Sequence, residues 1–357
     1  MSQVFVAGMG AVSPAGWGMA ALREALAGGR PIPSQAMERP GWPHPLHVRL
    51  VPPAPNSVSF FGHARLRRAS VITHYATYAV LEAVARCRQA DSTPPRLGLI
   101  SCLQSGCVEY SFRFFAEAVN DSGFPSPLLF PETVFAAPIS HVAALLGNVP
   151  KATTLVGDPA VFLQGVALGC DWLEESEVDA VVIVGSEETT WLHADAVWHL
   201  EHAVQVSTGA GAICLTRRPE LSVGVALASI TDVHSYTSGS SRVQAAEAMR
   251  RQLLSPALDE LLCEGTQGGQ RSDAAETAAW RDWVGPRLRP KSILGEGLMA
   301  AAAWQCVAAC DAIATERFQS AAVSLVGSNQ QAIGARFVAC KPGPTQQATR
   351  ELGVFSP

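Results

Sequence analysis

The sequence predicts an α/β fold built from two successive halves, 1–217 and 218–357. Short buried strands alternate with apolar helices along the chain, which is the pattern of layered sheets covered by helices. The alternation starts afresh after Arg217-Arg218-Pro219, where a new strand is predicted to open the second half. A length of 357 residues also allows two domains of ordinary size.

In the first half, short runs rich in Val, Ile and Leu predict strands, and longer apolar-periodic runs predict helices. The helix at 64–87 carries an apolar stripe that includes Tyr75, Tyr78 and Leu81. Residues 30–60 are rich in proline and polar groups, so we expect a loop excursion with a small hairpin. The predicted strands are 4–7, 97–101, 153–156, 180–184 and 211–215 (the last antiparallel), and the other predicted helices are 18–27, 108–118 and 160–173.

The second half repeats the alternation in a shorter length of chain. Residues 265–290 are its least core-like stretch, because glycine, glutamine and serine dominate their first part. The predicted elements are strand 223–230, helix 243–262, helix 297–315 and strands 322–326 and 334–339.

Composition narrows the classes of function. Hydrophobic residues make up 48% of the chain and charged residues 16%, which favours a large core and argues against disorder. A net charge of −5 gives no basic footprint for nucleic acid. No apolar run is long enough for a membrane span, and the start lacks the basic region of a signal peptide, so we expect a cytoplasmic protein.

The cysteines are odd in number and form no C-x-x-C pair. All nine are predicted to be reduced, mostly buried thiols, and no metal site or cofactor is expected. The segment Gly8-Met9-Gly10 is not a dinucleotide fingerprint, because neither a third glycine nor a suitably spaced acidic residue follows it.

Seven segments, in order along the whole chain, resemble the motifs of the β-ketoacyl synthases. The most informative is 291–303, which is similar to K-S-x-x-G-H-x-x-G-A-A but has Glu296 in the place of the histidine. The other six are 6–14 (V-x-T-G-x-G-x-V-S-P), 66–70 (R-R-x-S-R), 126–141 (the segment before the nucleophile strand), 177–187 (A-D-V-x-L-A-G-G-A-E), 207–212 (G-E-G-A-G-A) and 325–329 (G-F-G-G-x-N).

This resemblance implies a thiolase-like, five-layered α/β/α/β/α fold with two similar halves. It also implies a Cys-His-His triad, which this sequence lacks. The nucleophile position falls on Pro159, the first histidine position on Glu264 (within 264–268, compared with H-G-T-G-T) and the second on Glu296, whereas the neighbouring Lys291 is retained. A carboxylate cannot replace a neutral imidazole as hydrogen-bond donor to a thioester oxygen.

Each position also has a structural interpretation. Asp158 and Pro159 suit a helix start, with Asp158 as N-cap and Pro159 as the first helical residue. Glu264 and Glu296 are candidates for an acid/base carboxylate pair. The structural alternative for Glu296 is that it binds backbone N–H groups at its helix start or pairs with Lys291.

Six other residues are candidate functional groups. Cys107 is a candidate nucleophile near a helix start, but a buried thiol is the favoured interpretation. His141 is interpreted as a core or interface histidine and Ser186 as a backbone support. Arg65, Arg67 and Arg68 form a basic cluster. It is expected either to contact an acidic carrier protein or to be the solvent-exposed start of a helix.

The resemblance also implies where the chain associates. Members of the family dimerise through the strand before the nucleophile helix, here 153–156 with Thr154, together with the apolar segment 128–146, which contains His141. Phe135 and Phe162 are the large apolar residues expected to form the floor of an acyl tunnel near this interface.

The predicted function is that of a catalytically inactive ketosynthase-like subunit of the chain-length-factor type. It would pair with an active ketosynthase, shape its acyl tunnel and work with an acyl carrier protein in bacterial type II polyketide, aryl-polyene-like or fatty-acid-like biosynthesis. Two alternatives stay open. One is a hydrolase or acyltransferase that uses Glu264 and Glu296, and the other is a homodimeric module that binds acyl groups or carrier protein.

Overall fold

A computed structural model describes residues 3–56, 59–90, 94–121, 123, 125–253, 259–271, 273–328 and 330–341. Parts of some predicted segments lie outside these residues: 57–58 of the loop excursion, 254–258 of the second-half helix, and Asn329 of the last motif. The described strands are β1 (Val4–Ser13), β2 (Gly16–Trp17), β3 (Gln35–Met37), β4 (Leu46–Val48), β5 (Leu97–Leu103), β6 (Lys151–Val156), β7 (Ala180–Glu187), β8 (Gly209–Thr216), β9 (Val225–Ile230), β10 (His234–Ser235), β11 (Leu261–Cys263), β12 (Arg287–Leu288), β13 (Ser320–Val326) and β14 (Gln331–Ala339).

The helices alternate with these strands, as predicted for an α/β fold. Short 3₁₀ turns, such as Phe130–Thr133, lie between some of the elements. The described α-helices are α1 (Met19–Gly28), α2 (Val71–Ala90), α3 (Val108–Asn120), α4 (Ala137–Leu146), α5 (Val161–Glu174), α6 (Trp191–Leu200), α7 (Gly239–Leu253), α8 (Ala274–Ala279), α9 (Pro290–Leu294) and α10 (Met299–Ala314).

The strands repeat one order in the two parts of the chain. The first part has the order β6-β5-β7-β8-β1 and the second the order β12-β11-β13-β14-β9. In both orders the fourth strand, β8 or β14, is antiparallel to its neighbours. The two sets meet where β1 pairs with β9 over three residues. The division after residue 217 itself stays a prediction.

Helix α10 lies at the centre of the core. Every residue from Met299 to Ile313 is buried, which explains a helix that is apolar or small on nearly all sides. The run of alanines lets a sheet approach closely: a Cβ placed on Gly211 of β8 would lie 2.8 Å from the Cβ of Ala303. Helix α5 packs beside α10 in the same layer and supplies the fully buried Phe162 to the core.

Several boundaries differ from the predictions. Helix α2 begins at Val71 rather than at 64, because residues 64–69 form hydrogen-bonded turns. The Glu188 carboxylate then accepts the N–H of Ile72 in the first turn of the helix. Residues 243–253 of the predicted helix 243–262 lie in α7, whereas 261–262 lie in strand β11. A short apolar run does not distinguish a strand from a buried helix. Helices α4, α6, α8 and α9 were not predicted, whereas the hairpin within 30–60 is present as β3 and β4.

The stretch 265–290, predicted to be the least core-like part of the second half, still contributes to the core. It contains α8 and Trp280, whose side chain is fully buried and donates from Nε1 to the Ser324 hydroxyl at 3.0 Å. Within the described ranges, no helix is both long and apolar enough to cross a membrane.

Candidate functional site

The predicted nucleophile position, Pro159, lies in the turn between β6 and α5. Helix α5 begins at Val161, two residues later than predicted, and Asp158 is not its N-cap in the expected way. One Asp158 oxygen accepts the N–H of Ala160 at 3.2 Å. The other accepts the N–H of Gln330 in the second half at 3.1 Å. Burial raises the pKa of Asp158, although these backbone donors oppose the rise. Pro159 itself offers neither a nucleophile nor an N–H group.

Glu264 lies at the end of β11 and is fully buried. The Glu264 N–H donates to the Leu288 carbonyl at 3.0 Å. Arg287 and Arg289 lie one residue before and one residue after Leu288, so their side chains point to the same face as each other. Arg287 Nη1 lies 2.7 Å from Glu264 Oε2, and Arg289 Nε donates to Oε1. The Thr266 hydroxyl adds a further donor at 3.3 Å. Two guanidinium groups thus hold this carboxylate.

Glu296 lies between α9 and α10 and has the partners of its structural interpretation. Lys291 Nζ lies 2.8 Å from Oε2, and the N–H of Leu298 lies 2.8 Å from Oε1. Gln267 Nε2 donates to Oε2 at 3.2 Å, which links the Glu264 loop to the Glu296 loop. Helix α9 ends at Leu294, and Gly295, which has a φ of 97°, turns the chain between Lys291 and Glu296.

Two further ionisable groups near this region were missed in the sequence. Glu276 of α8 is buried, accepts the N–H of Gly265 at 3.0 Å, and has a pKa raised to about 7 by burial. His193 of α6 contacts the Thr189 hydroxyl at 3.0 Å. Burial lowers the pKa of His193, and the Glu296 carboxylate partly opposes that shift. Neither residue could be identified from helical periodicity in the sequence, because α6 and α8 are short.

Buried carboxylates also end strand β7. Glu187 accepts N–H groups of Gln104 and Ser105, and burial raises its pKa to about 8. Glu188 accepts the N–H groups of Ile72 and Glu109 at 3.1 and 2.9 Å, so it caps α2 and α3 together. Burial raises the pKa of Glu188 to about 7. Both groups bind backbone and have structural roles.

The nucleophile candidate Cys107 is buried at the start of α3. Burial raises the pKa of its thiol to about 12, and the weak contact with Ser70 at 3.6 Å only partly opposes this. At neutral pH the Cys107 thiol is therefore protonated and a poor nucleophile. Ser186 is also fully buried. Among the residues that the structure describes, no group of three His, Cys, Asp or Glu side chains could hold a metal ion.

The predicted association region is an exposed edge of the structure. Strand β6 is the last strand of its sheet and pairs with β5, and the buried Thr154 hydroxyl oxygen on it has no protein partner. His141 of α4 lies 2.8 Å from Glu132 Oε1 and is half-buried. Large apolar side chains are exposed on β6, on the segment 128–135 before α4, and on α3, which contacts that segment. They are Phe115, Val119, Leu128, Phe130, Val134, Phe135 and Val156, defined here as the apolar edge surface.

The two phenylalanines expected at the tunnel floor occupy different environments. Phe135 is 41% exposed and lies against Gly106, where a Cβ would come within 2.6 Å of its ring. Phe162 is fully buried in the core. The side chains of Arg65, Arg67 and Arg68 are exposed in the turns before α2.

Comparisons with known proteins identify the fold. No protein-family model and no curated protein sequence matches the chain. The chain resembles a solved β-ketoacyl synthase from Burkholderia phymatum STM815 (TM-score 0.78, 16% identity, 96% of this chain and all of that one).

It also resembles chains of two solved complexes that contain a ketosynthase. One is the ketosynthase ApeO in complex with its chain length factor ApeC from Xenorhabdus doucetiae (TM-score 0.76, 14% identity, 95% of this chain and 98% of that one). The other is the type II acyl carrier protein and ketosynthase complex AntDE:AntF (TM-score 0.77, 13% identity, 95% and 99%). The chain therefore has the thiolase fold of the ketosynthases and chain length factors.

Proposed function

We propose that this chain is a catalytically inactive, chain-length-factor-type subunit that pairs with an active ketosynthase and shapes its acyl tunnel. The observation that carries the proposal is the state of the three triad positions. Pro159 has no nucleophile, Glu264 is held by Arg287 and Arg289, and Glu296 is held by Lys291. Condensation requires an activated nucleophile and donors aimed at the developing oxyanion.

The same ion pairs weigh against the alternative of carboxylate catalysis. A general base must be free to accept a proton from a substrate or a water. Glu264 is fully buried and accepts bonds from two guanidinium groups, so proton transfer would need both pairs to separate. The carboxylates therefore favour a structural role.

The apolar edge surface supports association with a second subunit. Exposed side chains such as Phe115, Leu128 and Val156 lie beside a strand edge that is open among the described residues. Natural sheets rarely leave such an edge uncovered, and a large apolar patch marks an interaction site. Obligate partners typically bury roughly 2,000 Å² or more.

Several of the similar solved structures are consistent with a ketosynthase as the partner. Two of them are a ketosynthase in complex with its chain length factor and a ketosynthase/chain length factor of the ishigamide type, and a third contains an acyl carrier protein. We propose the corresponding roles here: a bacterial cytoplasmic heterodimer that receives its growing acyl group from a carrier protein, with Arg65, Arg67 and Arg68 as the carrier contact.

Co-expression with the ketosynthases of the same genome tests the proposal. We expect one of them to co-purify as a heterodimer and to show carrier-dependent condensation only when the chain is present. Val156→Asp on the apolar edge surface should abolish co-purification, while Val284→Asp, at another highly exposed position, should not. A stable homodimer that ignores every ketosynthase would favour the acyl-binding alternative, and a covalent acyl adduct on this chain would contradict inactivity.

A further inference from the structure

Two cysteines of the first half, Cys87 of α2 and Cys214 of β8, have their sulfur atoms in contact. The two Sγ atoms are 3.6 Å apart, although the residues are 127 positions apart in the sequence. Both side chains are buried in the same apolar cluster, and both are reduced thiols in the structure. A disulfide brings two sulfur atoms to about 2.05 Å, so this pair already meets its first geometric requirement.

The close approach of α2 to the sheet brings these sulfur atoms together. Cys214 pairs with Gly8 of β1 in the register of the sheet. A Cβ on Gly8 would overlap the carbonyl oxygen of Ala83, so the missing side chain lets the helix backbone lie against the strand. Cys87 lies one helical turn after Ala83 and therefore on the same face of α2. The sulfur contact is thus set by the packing of two long elements.

The two thiols differ in how readily an oxidant can reach them. Cys87 lies in the last turn of α2, which ends at Ala90. Terminal helical turns open more readily than the centre of a sheet. Cys214 lies on β8, between β1 and β7, and both the contact with Cys87 and burial raise the pKa of its thiol. An oxidant is therefore expected to react at Cys87 first.

We propose that Cys87 and Cys214 are a disulfide-forming pair, which a low-molecular-weight disulfide such as oxidised glutathione converts into a covalent link between α2 and β8. In the first step the Cys87 thiolate attacks one sulfur of the oxidant, breaks its S–S bond and releases one small thiolate. In the second step the Cys214 thiolate attacks the Cys87 sulfur of this mixed disulfide and releases the second small thiolate.

The electrons and protons of this exchange balance. The two protein thiols lose two electrons and two protons, and the oxidant gains both as it becomes two small thiols. None of the three predicted triad positions takes part, so the proposal does not depend on the proposed function.

Oxidised glutathione added to the folded chain tests the proposal. After the reaction, the remaining thiols are alkylated, and the chain is digested without reductant and mapped by mass spectrometry. We expect a cross-link between Cys87 and Cys214 to be the main internal disulfide, and dithiothreitol to remove it. The partly exposed Cys170 and Cys340 report the extent of reaction as mixed disulfides. Absence of the cross-link once these two are fully modified would overturn the proposal.

Single cysteine variants separate the two steps. In Cys214→Ala the reaction should stop at a mixed disulfide on Cys87, whereas in Cys87→Ala the folded chain should keep Cys214 unmodified. Cys263→Ala removes another fully buried thiol and should leave the cross-link unchanged. Modification of Cys214 in Cys87→Ala as fast as that of Cys87 in Cys214→Ala would contradict Cys87 as the point of attack.

Oxidation of the chain in urea shows whether the folded geometry selects this pair. The nine thiols of an unfolded chain can pair in many ways, so the share of the cross-link between Cys87 and Cys214 should fall about tenfold. In the folded chain the cross-link should also raise the urea midpoint of unfolding, and dithiothreitol should reverse the rise. An equal share of the cross-link in folded and unfolded chains, or a lowered midpoint, would contradict a pair positioned by the fold.

Discussion

Asp158 and Gln330, which are 172 positions apart, are joined by a hydrogen bond of 3.1 Å from the Gln330 N–H to the Asp158 carboxylate. The bond ties the start of α5 to the loop between β13 and β14. Its geometry depends on Gly327, because a Cβ there would lie 1.8 Å from Asp158 Oδ2. The carboxylate thus accepts the N–H groups of Ala160 and Gln330, next to the predicted nucleophile position.

Removing this bond is expected to destabilise the fold. Asp158→Ala leaves the Gln330 and Ala160 N–H groups without this acceptor, which should lower the free energy of unfolding by about 1–3 kcal/mol. Gly327→Ala should have an effect of similar size, because its methyl group displaces the same carboxylate. Urea denaturation measures both, with the exposed Glu24→Ala as control. A change in Asp158→Ala no larger than in the control would contradict this role.

The same carboxylate should hinder a restored nucleophile. In Pro159→Cys, the neighbouring Asp158 charge is expected to keep the thiol pKa about one unit higher than in the double variant with Asp158→Asn. The pH dependence of iodoacetamide alkylation measures this difference. Neither variant should catalyse condensation, because no imidazole donor is present at 264 or 296. Equal thiol pKa values would show that Asp158 does not act on this position.

The sequence predicted the strand and helix alternation well because long apolar runs determine the elements of the core. The order of motifs assigned Pro159, Glu264 and Glu296 to the triad positions, and this assignment stays a prediction. It did not reveal Arg287 and Arg289 as partners of Glu264, because that pairing depends on the parallel register of two short strands, β11 and β12. Short helices such as α8 were missed for a related reason: their burial comes from tertiary contacts rather than from local periodicity.

The pairing at Glu264 predicts a structural rather than a catalytic phenotype. Glu264→Gln leaves two guanidinium groups without their counter-charge in a partly buried place, and we expect a loss of roughly 3–5 kcal/mol of stability. Thermal unfolding measures the loss.

Measurement of turnover distinguishes a structural role of Glu264 from a catalytic one. If the variant is folded at low temperature, its complex with the ketosynthase should keep the turnover of the original complex. Glu296→Gln should behave in the same way with a smaller loss of stability. Loss of turnover in a folded, associated Glu264→Gln or Glu296→Gln complex would instead assign catalysis to the carboxylates.

Stability is expected to fall as the pH rises from 5 to 8. The pKa values of Glu187, Glu188 and Glu276 are raised by burial to about 8, 7 and 7 from an ordinary value of 4.5. Above pH 4.5 the unfolded chain releases these protons while the folded chain retains them. Each group therefore lowers stability by at most about 1.4 kcal/mol per pH unit until its folded pKa is passed.

Variants identify the groups responsible for this slope. Glu187→Gln keeps an acceptor for the N–H groups of Gln104 and Ser105 but does not titrate, so the decline between pH 5 and 8 should become shallower. Glu24→Gln at an exposed position should not change it. Urea denaturation at a series of pH values measures the slope. A slope identical in Glu187→Gln and the original chain would exclude a raised pKa at Glu187.

Phe135 is the best-placed side chain of this chain to limit the length of an acyl group in the proposed heterodimer. It is partly exposed in the isolated chain, within the apolar edge surface, so a partner can cover it. Phe135→Leu should therefore change stability little, unlike truncation of the fully buried Phe162, where Phe→Ala typically costs about 3–5 kcal/mol.

In the reconstituted complex, Phe135→Leu should shift products toward longer chains and leave acylation of the ketosynthase nearly unchanged. Phe115→Leu on the same surface is the matched control, and mass spectrometry of released products is the measurement. An unchanged product length, with the heterodimer intact, would remove Phe135 from the tunnel.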